Sequence, residues 1–506
     1  MNQENSNKRI AKNTIYLYIR MIFTIFVSLY TGRIILNVLG VEDYGIYNVV
    51  GGVVASFSFL TNTLSGASSR FITYELEKAT PYRLRLVFNT SLNMHILLAC
   101  IIFILAESLG LWLLNSKLVI PAERMIAAQF VYQCCIISTI ISITQIPYNA
   151  NIIAHEKMNV YAYVSILEVS LKLISVFILQ YFNTSDKLIL YGILTVLVSI
   201  SITTTYRIYC LKKFPETKYL LRIEKSLFKA MLTFSGWDLY GNMSVVVSSQ
   251  GKVMLLNTFF GPIINASSGI ASQVSGIITN FVTNFQMAVR PQIVKRYADK
   301  NYQGMISLCN NSAKYSFILL LLISLPVILE TNYILYLWLG KVPQYLVPFV
   351  QLCLITSIIW GMFQPISICI HAIGKMKKIS FLTGTLYIAS ILIMYVFLYF
   401  DYNPNIVFII DIFIALIAGL INLLILKSYI PEYTISLFYK NVIIKALIIG
   451  ILSIPIPCII PFLMKENILR LLITCCISSI CILIISYQTA ISEDVKIKIK
   501  NKLKIN

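Results

Sequence analysis

The chain has 506 residues, 58% of them apolar and only 12% charged, with a mean hydropathy of +0.79. Soluble chains carry roughly 25% charged residues, and a single soluble core stops growing at about 250–300 residues, so an ordinary cytosolic enzyme, a disordered chain and a secreted disulfide scaffold are excluded and a polytopic membrane protein remains. The 41 Lys and Arg against 21 Asp and Glu, net +20, must be sorted by side of the membrane before they are read as a nucleic-acid signature.

A spanning helix takes about 20 mostly apolar residues. On that template fourteen segments follow in chain order: 13–36, 45–68, 88–112, 125–147, 162–182, 188–207, 230–257, 264–289, 312–330, 345–368, 380–400, 406–426, 442–464 and 470–489. The breaks carry turn chemistry, as in Asn183-Thr184-Ser185-Asp186, Asp401-Tyr402-Asn403-Pro404-Asn405 and Lys465-Glu466-Asn467. The runs do not alternate apolar with polar, so a transmembrane β-barrel is excluded. The fold class is an all-α polytopic membrane protein of about fourteen helices.

Fourteen spans put both termini on one side. That side holds thirty Lys and Arg, including Lys8, Arg9, Lys12, the run from Arg207 to Lys229, and the tail Lys496, Lys498, Lys500, Lys502 and Lys504. The opposite loops hold six: Lys117, Arg124, Lys187, Lys341, Lys465 and Arg470. The positive-inside rule therefore places both termini in the cytoplasm. It accounts for most of the +20 without nucleic acid, and the basic tail is attracted to anionic membrane lipids. The first span is too long for a signal h-region and lacks a small-residue cleavage site, so it is read as retained. There is no CxxC among the eleven Cys, and His155-Glu156 lacks the second His of a zinc-protease helix. No metal or cofactor is expected.

An internal repeat runs at an offset of 218 to 221 residues. Gly32-Arg33 matches Gly251-Lys252, Leu39-Gly40 matches Phe260-Gly261, Arg70 matches Arg290, and Pro147 with Lys157-Met158 matches Pro365 with Lys375-Met376. Both halves start on the same side, which makes this a parallel repeat about an axis along the membrane normal, a transporter signature. The expected organisation is a six-helix lobe at 1–211, a second at 212–441 that takes in a cytoplasmic linker at 208–229, two extra helices at 442–489, and a basic cytoplasmic tail at 490–506.

Two pseudo-symmetric six-helix lobes with two further helices resemble the layout of oligosaccharide-lipid flippases. These are members of the multidrug/oligosaccharidyl-lipid/polysaccharide exporter superfamily, which also contains multidrug antiporters and lipid II flippases. The local text agrees. Val38-Leu39-Gly40-Val41-Glu42-Asp43-Tyr44-Gly45-Ile46-Tyr47 is similar to the first outer turn of polysaccharide exporters, and Ser69-Arg70-Phe71 is similar to their close of span 2. The resemblance implies export of a polyprenyl-diphosphate-linked oligosaccharide across the inner membrane by alternating access, through a cationic cavity. That export would serve O-antigen, capsule or exopolysaccharide synthesis, possibly alongside other glycan-assembly membrane proteins.

Ionisable groups within spans cost about 2.5 kcal/mol or more and mark functional sites. Arg33 and Lys252 are expected at one mouth and Arg70 and Arg290 at the other, four cations that suit a diphosphate passing between them. Arg20 and Asp238, 218 residues apart, occupy equivalent positions with opposite sign. They are expected to bind substrate phosphate (Arg20) and to form a gate latch across the lobes. Glu168 and Lys172, one turn apart in the favourable order, are expected to neutralise each other inside the bundle or to serve as a coupling site. Asp411 has no local partner in sequence and is expected to be protonated or cavity-facing. The polar run Ser267, Ser268, Ser272, Gln273, Ser275, Asn280, Asn284 and Gln286 suits either helix–helix glue or sugar binding.

A glycan polymerase or ligase would need a sizeable outer loop with catalytic groups. The longest such connection is about 331–344, and no loop holds a Ser/His/Asp set, a carboxylate pair or a nucleotide-binding Gly motif. An enzyme is not expected. A cation-coupled multidrug antiporter shares the fold but relies on cavity acids, which the cations here outnumber; a lipid II flippase differs only in its glycan.

Overall fold

The computed structural model describes residues 3–55, 58–78, 80–116, 120–181, 186–220 and 224–490. Among them every regular element is helical. Eleven helices are long and apolar enough to cross a membrane. The segments 41–78, 225–260 and 262–298 complete the fourteen. Their Ser, Thr, Asn and Gln residues make them less apolar than the rest. The multi-pass all-α fold expected from the sequence is the fold observed.

The chain divides into two compact units, Met1–Leu239 and Tyr240–Asn506. Each contains one continuous helical rod broken at a single glycine. In the first unit α1 (Gln3–Ala55) breaks at Gly40, with φ 80° and ψ 168°. In α8 (Lys225–Ala298) the break is at Gly261, with φ 80° and ψ −177°. Such dihedrals are essentially confined to glycine, because a Cβ would clash with the backbone. The Leu39-Gly40 and Phe260-Gly261 match in the sequence repeat is thus a match in backbone conformation.

The first unit continues with α2 (Ser58–Lys78), α3 (Pro81–Leu105), α4 (Leu111–Ser116), α5 (Met125–Ala154), α6 (Met158–Tyr181) and α7 (Lys187–Lys213). Thr80 caps α3, with Pro81 at the first helical position, where its missing N–H costs nothing. Between α3 and α4 the helix widens into a π turn at Ala106–Gly110. There Tyr132 donates its hydroxyl to the Ala106 carbonyl at 2.7 Å, satisfying a buried acceptor.

The two ends of this unit are tied by charge. At the end opposite the basic N-terminus, Arg124 bridges Asp43 (2.6 Å) and Asp186 (2.9 Å), and Asp186 also caps α7 through the N–H groups of Leu188 and Ile189. At the basic end Arg9 pairs with the buried Glu156 at 2.8 Å. His155 meets Glu216 at 2.7 Å, and Asn151 donates to the same carboxylate. The segment after α7 is fastened to α3, where Arg85 donates to the carbonyls of Lys218 and Tyr219 and Asn89 accepts from the Leu220 N–H.

The second unit holds the rest of α8, then α9 (Tyr302–Leu329), α10 (Thr331–Leu339), α11 (Leu346–Ile373), α12 (Met376–Tyr399) and α13 (Asn405–Tyr429). Four shorter or terminal pieces follow: α14 (Ile435–Phe438), α15 (Ile444–Ser453), α16 (Pro455–Leu463) and α17 (Ile468–Thr489). Small residues let α8 and α12 approach closely. Ser248 and Ser390 share a hydrogen bond at 3.0 Å, and a Cβ on Gly251 would lie 2.8 Å from Ile391. Between α9 and α17, the fully buried Glu330 accepts from Arg470 at 2.6 Å and from Thr474 at 2.9 Å.

Candidate functional site

Helical periodicity builds the most developed polar cavity, which lies within the C-terminal unit and measures about 410 Å³. Residues at i, i+3, i+4 and i+7 share one helix face. On the second half of α8 that face carries Ser272, Ser275, Gly276 and Thr279; on α11 it carries Cys353, Thr356, Ser357 and Trp360. The first half of α8 adds Lys252, α12 adds Tyr387, and α13 adds Asp411 with Ile414 and Ala415. Ser275 and Ser357 join the two polar faces by a 2.7 Å hydrogen bond.

The charge of this cavity is one ion pair. Lys252 donates to Asp411 at 2.7 Å, and its ammonium also lies 4.9 Å from the centre of the Phe408 ring. The side chains are 16% and 22% exposed, so the pair is partly desolvated and still reachable from the cavity. Hydroxyls, an indole, a phenol and a paired cation form a lining able to hydrogen-bond polyols and to bind an anion by exchange.

Two expectations are corrected here. Asp411 has a partner, Lys252, 159 residues away in sequence. Consequently Lys252 is a neutralised cation on a cavity wall and not one of two bare charges at a mouth. The other member of that expected pair, Arg33, has its side chain outside the described residues.

In the N-terminal unit the cations rest on aromatic rings. The Arg70 guanidinium lies 4.6 Å from the Phe71 ring centre, 5.3 Å from Tyr74 and 5.7 Å from Phe234. Arg20 lies 4.8 Å from the Tyr161 ring. Each contact is a cation–π geometry, which holds a guanidinium without neutralising it. Asp238 is buried, with its carboxylate against α2, 3.5 Å from where a Cβ on Gly66 would stand. Both Arg20 and Asp238 lie within the N-terminal unit. Arg290 is half-buried near the end of α8.

Glu168 and Lys172 form the expected pair at 2.6 Å, but their side chains are 38% and 53% exposed. The pair therefore sits on an open face of α6 and not in the bundle interior. The polar run on α8 divides between the two expected uses. Ser267 donates to the Gln344 carbonyl and Gln286 to Ser316 and the Gly361 carbonyl, which is helix–helix glue, while Ser272 and Thr279 face the cavity. Sequence reasoning missed Trp360, Tyr387 and Thr356. Their only signal was the α11 and α12 register, which cannot be phased against α8 without the fold.

No protein-family model matches the chain, and no curated protein matches it in sequence. Solved structures do match in fold. A MATE transporter in its bent conformation superposes with a TM-score of 0.72 at 16% identity, over 86% of this chain and 96% of that one. An outward-facing multidrug resistance MATE family transporter of the MOP superfamily gives 0.68 at 16% identity, over 86% and 97%. A MOP superfamily transporter from Pyrococcus furiosus, noted for the reverse polarity of its binding pocket and a different suggested function, gives 0.66 at 16% identity, over 86% and 96%. The chain has the fold of these membrane transporters.

Proposed function

We propose that this protein is a transporter that flips a polyprenyl-diphosphate-linked oligosaccharide across the inner membrane by alternating access, for O-antigen, capsule or related surface polysaccharide synthesis. Both termini lie in the cytoplasm in this reading, and other glycan-assembly membrane proteins supply and receive the substrate. The observation that carries it is the cavity of the C-terminal unit, where the Lys252–Asp411 pair stands among hydroxyls with Trp360 and Tyr387. Sugars are held by hydroxyl hydrogen bonds and by stacking on rings, and a diphosphate is held by cations. Arg20, Arg33, Arg70 and Arg290 serve the diphosphate at other stages, and Arg20 with Asp238 acts as a gate.

Pocket polarity supports the choice. A transporter of cationic drugs needs a carboxylate available to the cation, and the cavity carboxylate here, Asp411, is held by Lys252. The second reading, a cation-coupled multidrug antiporter, is favoured by Asp238, a buried carboxyl in the N-terminal unit. A lipid II flippase is the same chemistry with another glycan. Proteoliposomes loaded with a fluorescent polyprenyl-diphosphate sugar test the assignment. Transmembrane movement of that lipid, unaffected by an excess of ethidium, is the expected result. Export of ethidium without movement of the lipid supports the antiporter instead.

A further inference from the structure

A second cavity, of about 270 Å³, lies wholly within the N-terminal unit, and its chemistry is opposite to that of the first. It is a groove between α2, α3 and the first turns of α8, lined chiefly by Leu64, Leu98, Ile101, Phe228, Leu232 and Gly236. Each helix presents one face at helical spacing, so the groove runs along the helix axes. Its flank is open, because Ile101 and Leu232 remain exposed. At Gly236 a Cβ would meet nothing within 4 Å, so the α8 wall leaves real space there.

Arg70 stands at one end of this groove. It follows Leu64 by six residues on α2, toward the end where α2 meets the α3 N-terminus and α8 begins. One ring of its aromatic cage is Phe234, adjacent in sequence to Ser235 and Gly236 of the groove wall. Ring stacking engages the flat faces of a guanidinium, and its N–H edge has the fork geometry that matches phosphate oxygens. A cation at one end of an apolar channel is complementary to an amphiphile with an anionic head and a long hydrocarbon tail.

The geometry points to a lipid-chain site. The α2–α3–α8 groove takes the head-proximal isoprenoid units of the anionic lipid carrier while Arg70 holds its phosphate. This rests on the assignment of a polyprenyl-diphosphate substrate. It adds where the chain lies during binding, and that the carrier's tail as well as its glycan is recognised. The occupant is the carrier lipid and not bulk phospholipid. Charge complementarity at Arg70 selects an anionic head, and a groove following the helix axes suits a single chain better than two.

The test uses the full-length protein in nanodiscs of zwitterionic phospholipid with a polyprenyl diphosphate carrying a photoreactive diazirine beside the head. Crosslinks are mapped by mass spectrometry. Saturable labelling is expected within 94–101 and 228–239. It should fall about tenfold, a factor worth 1.4 kcal/mol, in Gly236→Leu, in Leu98→Trp and in Arg70→Gln, with melting temperatures checked for each. Two groove-filling variants on different helices keep the result independent of any one that fails to fold. Equal competition by excess phosphatidylglycerol, or saturable labelling confined to other helices, overturns the groove and leaves the transport assignment standing. An absence of any saturable labelling overturns both.

Discussion

The two units share a backbone device and differ in how they hold charge. Both break a long helix at a glycine with φ 80°, Gly40 in one and Gly261 in the other. Yet the N-terminal unit keeps Arg20 and Arg70 on aromatic rings, whereas the C-terminal unit ties Lys252 to Asp411. A ring leaves the cation's charge in place; a carboxylate cancels it until an incoming anion competes. The repeat therefore preserves the path of the chain and not its electrostatics, and the two halves can treat one anionic substrate differently, by direct attraction in the first and by exchange in the second.

The comparison can be tested from its largest consequence downward. Charge pairing is most severe at Glu330–Arg470, where both side chains are buried. Arg470→Met leaves an unpaired carboxylate and should lower stability by about 3–5 kcal/mol, read as a drop in melting temperature in detergent. The double variant with Glu330→Leu should recover most of that loss.

Lys252→Met removes a charge-assisted contact of roughly 1.5–3 kcal/mol, about 10- to 100-fold in affinity for a phosphate group. Arg70→Met should weaken binding without exposing any new carboxylate. If Asp411→Asn raises affinity for the diphosphate while Lys252→Met lowers it, exchange in the second unit is supported. Equal loss in both variants contradicts it.

Gly40→Ala and Gly261→Ala should each cost about 1–3 kcal/mol through backbone strain. A loss at one position only would break the equivalence of the two units.

Two carboxylates outside the spans predict an acid limb confined to the N-terminal unit. Burial alone would raise the Asp186 carboxyl, but the bond from Arg124 and the α7 backbone N–H groups more than offset it and hold it below its ordinary value. Burial likewise opposes ionisation of Glu216, and the bonds from His155, its own backbone N–H and Asn151 overcome it and leave it lowered. A carboxyl depressed on folding stabilises above its unfolded pKa and loses that contribution as pH falls through the folded value, below about pH 4. Melting temperature should drop on that acid limb, and Asp186→Asn with Glu216→Gln should flatten it. The smallest effect belongs to Lys172→Ala, about 0.3–0.5 kcal/mol for an exposed i,i+4 pair.

What was legible in the sequence was local or repeated. The spans follow from apolar run length, the two glycine breaks from their common offset, and the Glu168–Lys172 bond from a spacing of four. The Lys252–Asp411 and Arg470–Glu330 pairs lie 159 and 140 residues apart. No periodicity within one helix announces them, because they depend on the rotation of one helix against another. The same holds for the cavity wall. The Ser272–Thr279 stripe was visible as a polar run, but its division into glue and lining is decided by where α11 stands, as the Ser275–Ser357 bond makes plain.

The most direct measurement of the central claim is movement of a polyprenyl-diphosphate sugar across proteoliposomes by the parent protein and by Lys252→Met. Flipping by the parent, lost or reduced about 10-fold or more in the variant, is the predicted result. A parent that leaves the lipid in place but exports a cationic dye would contradict the account.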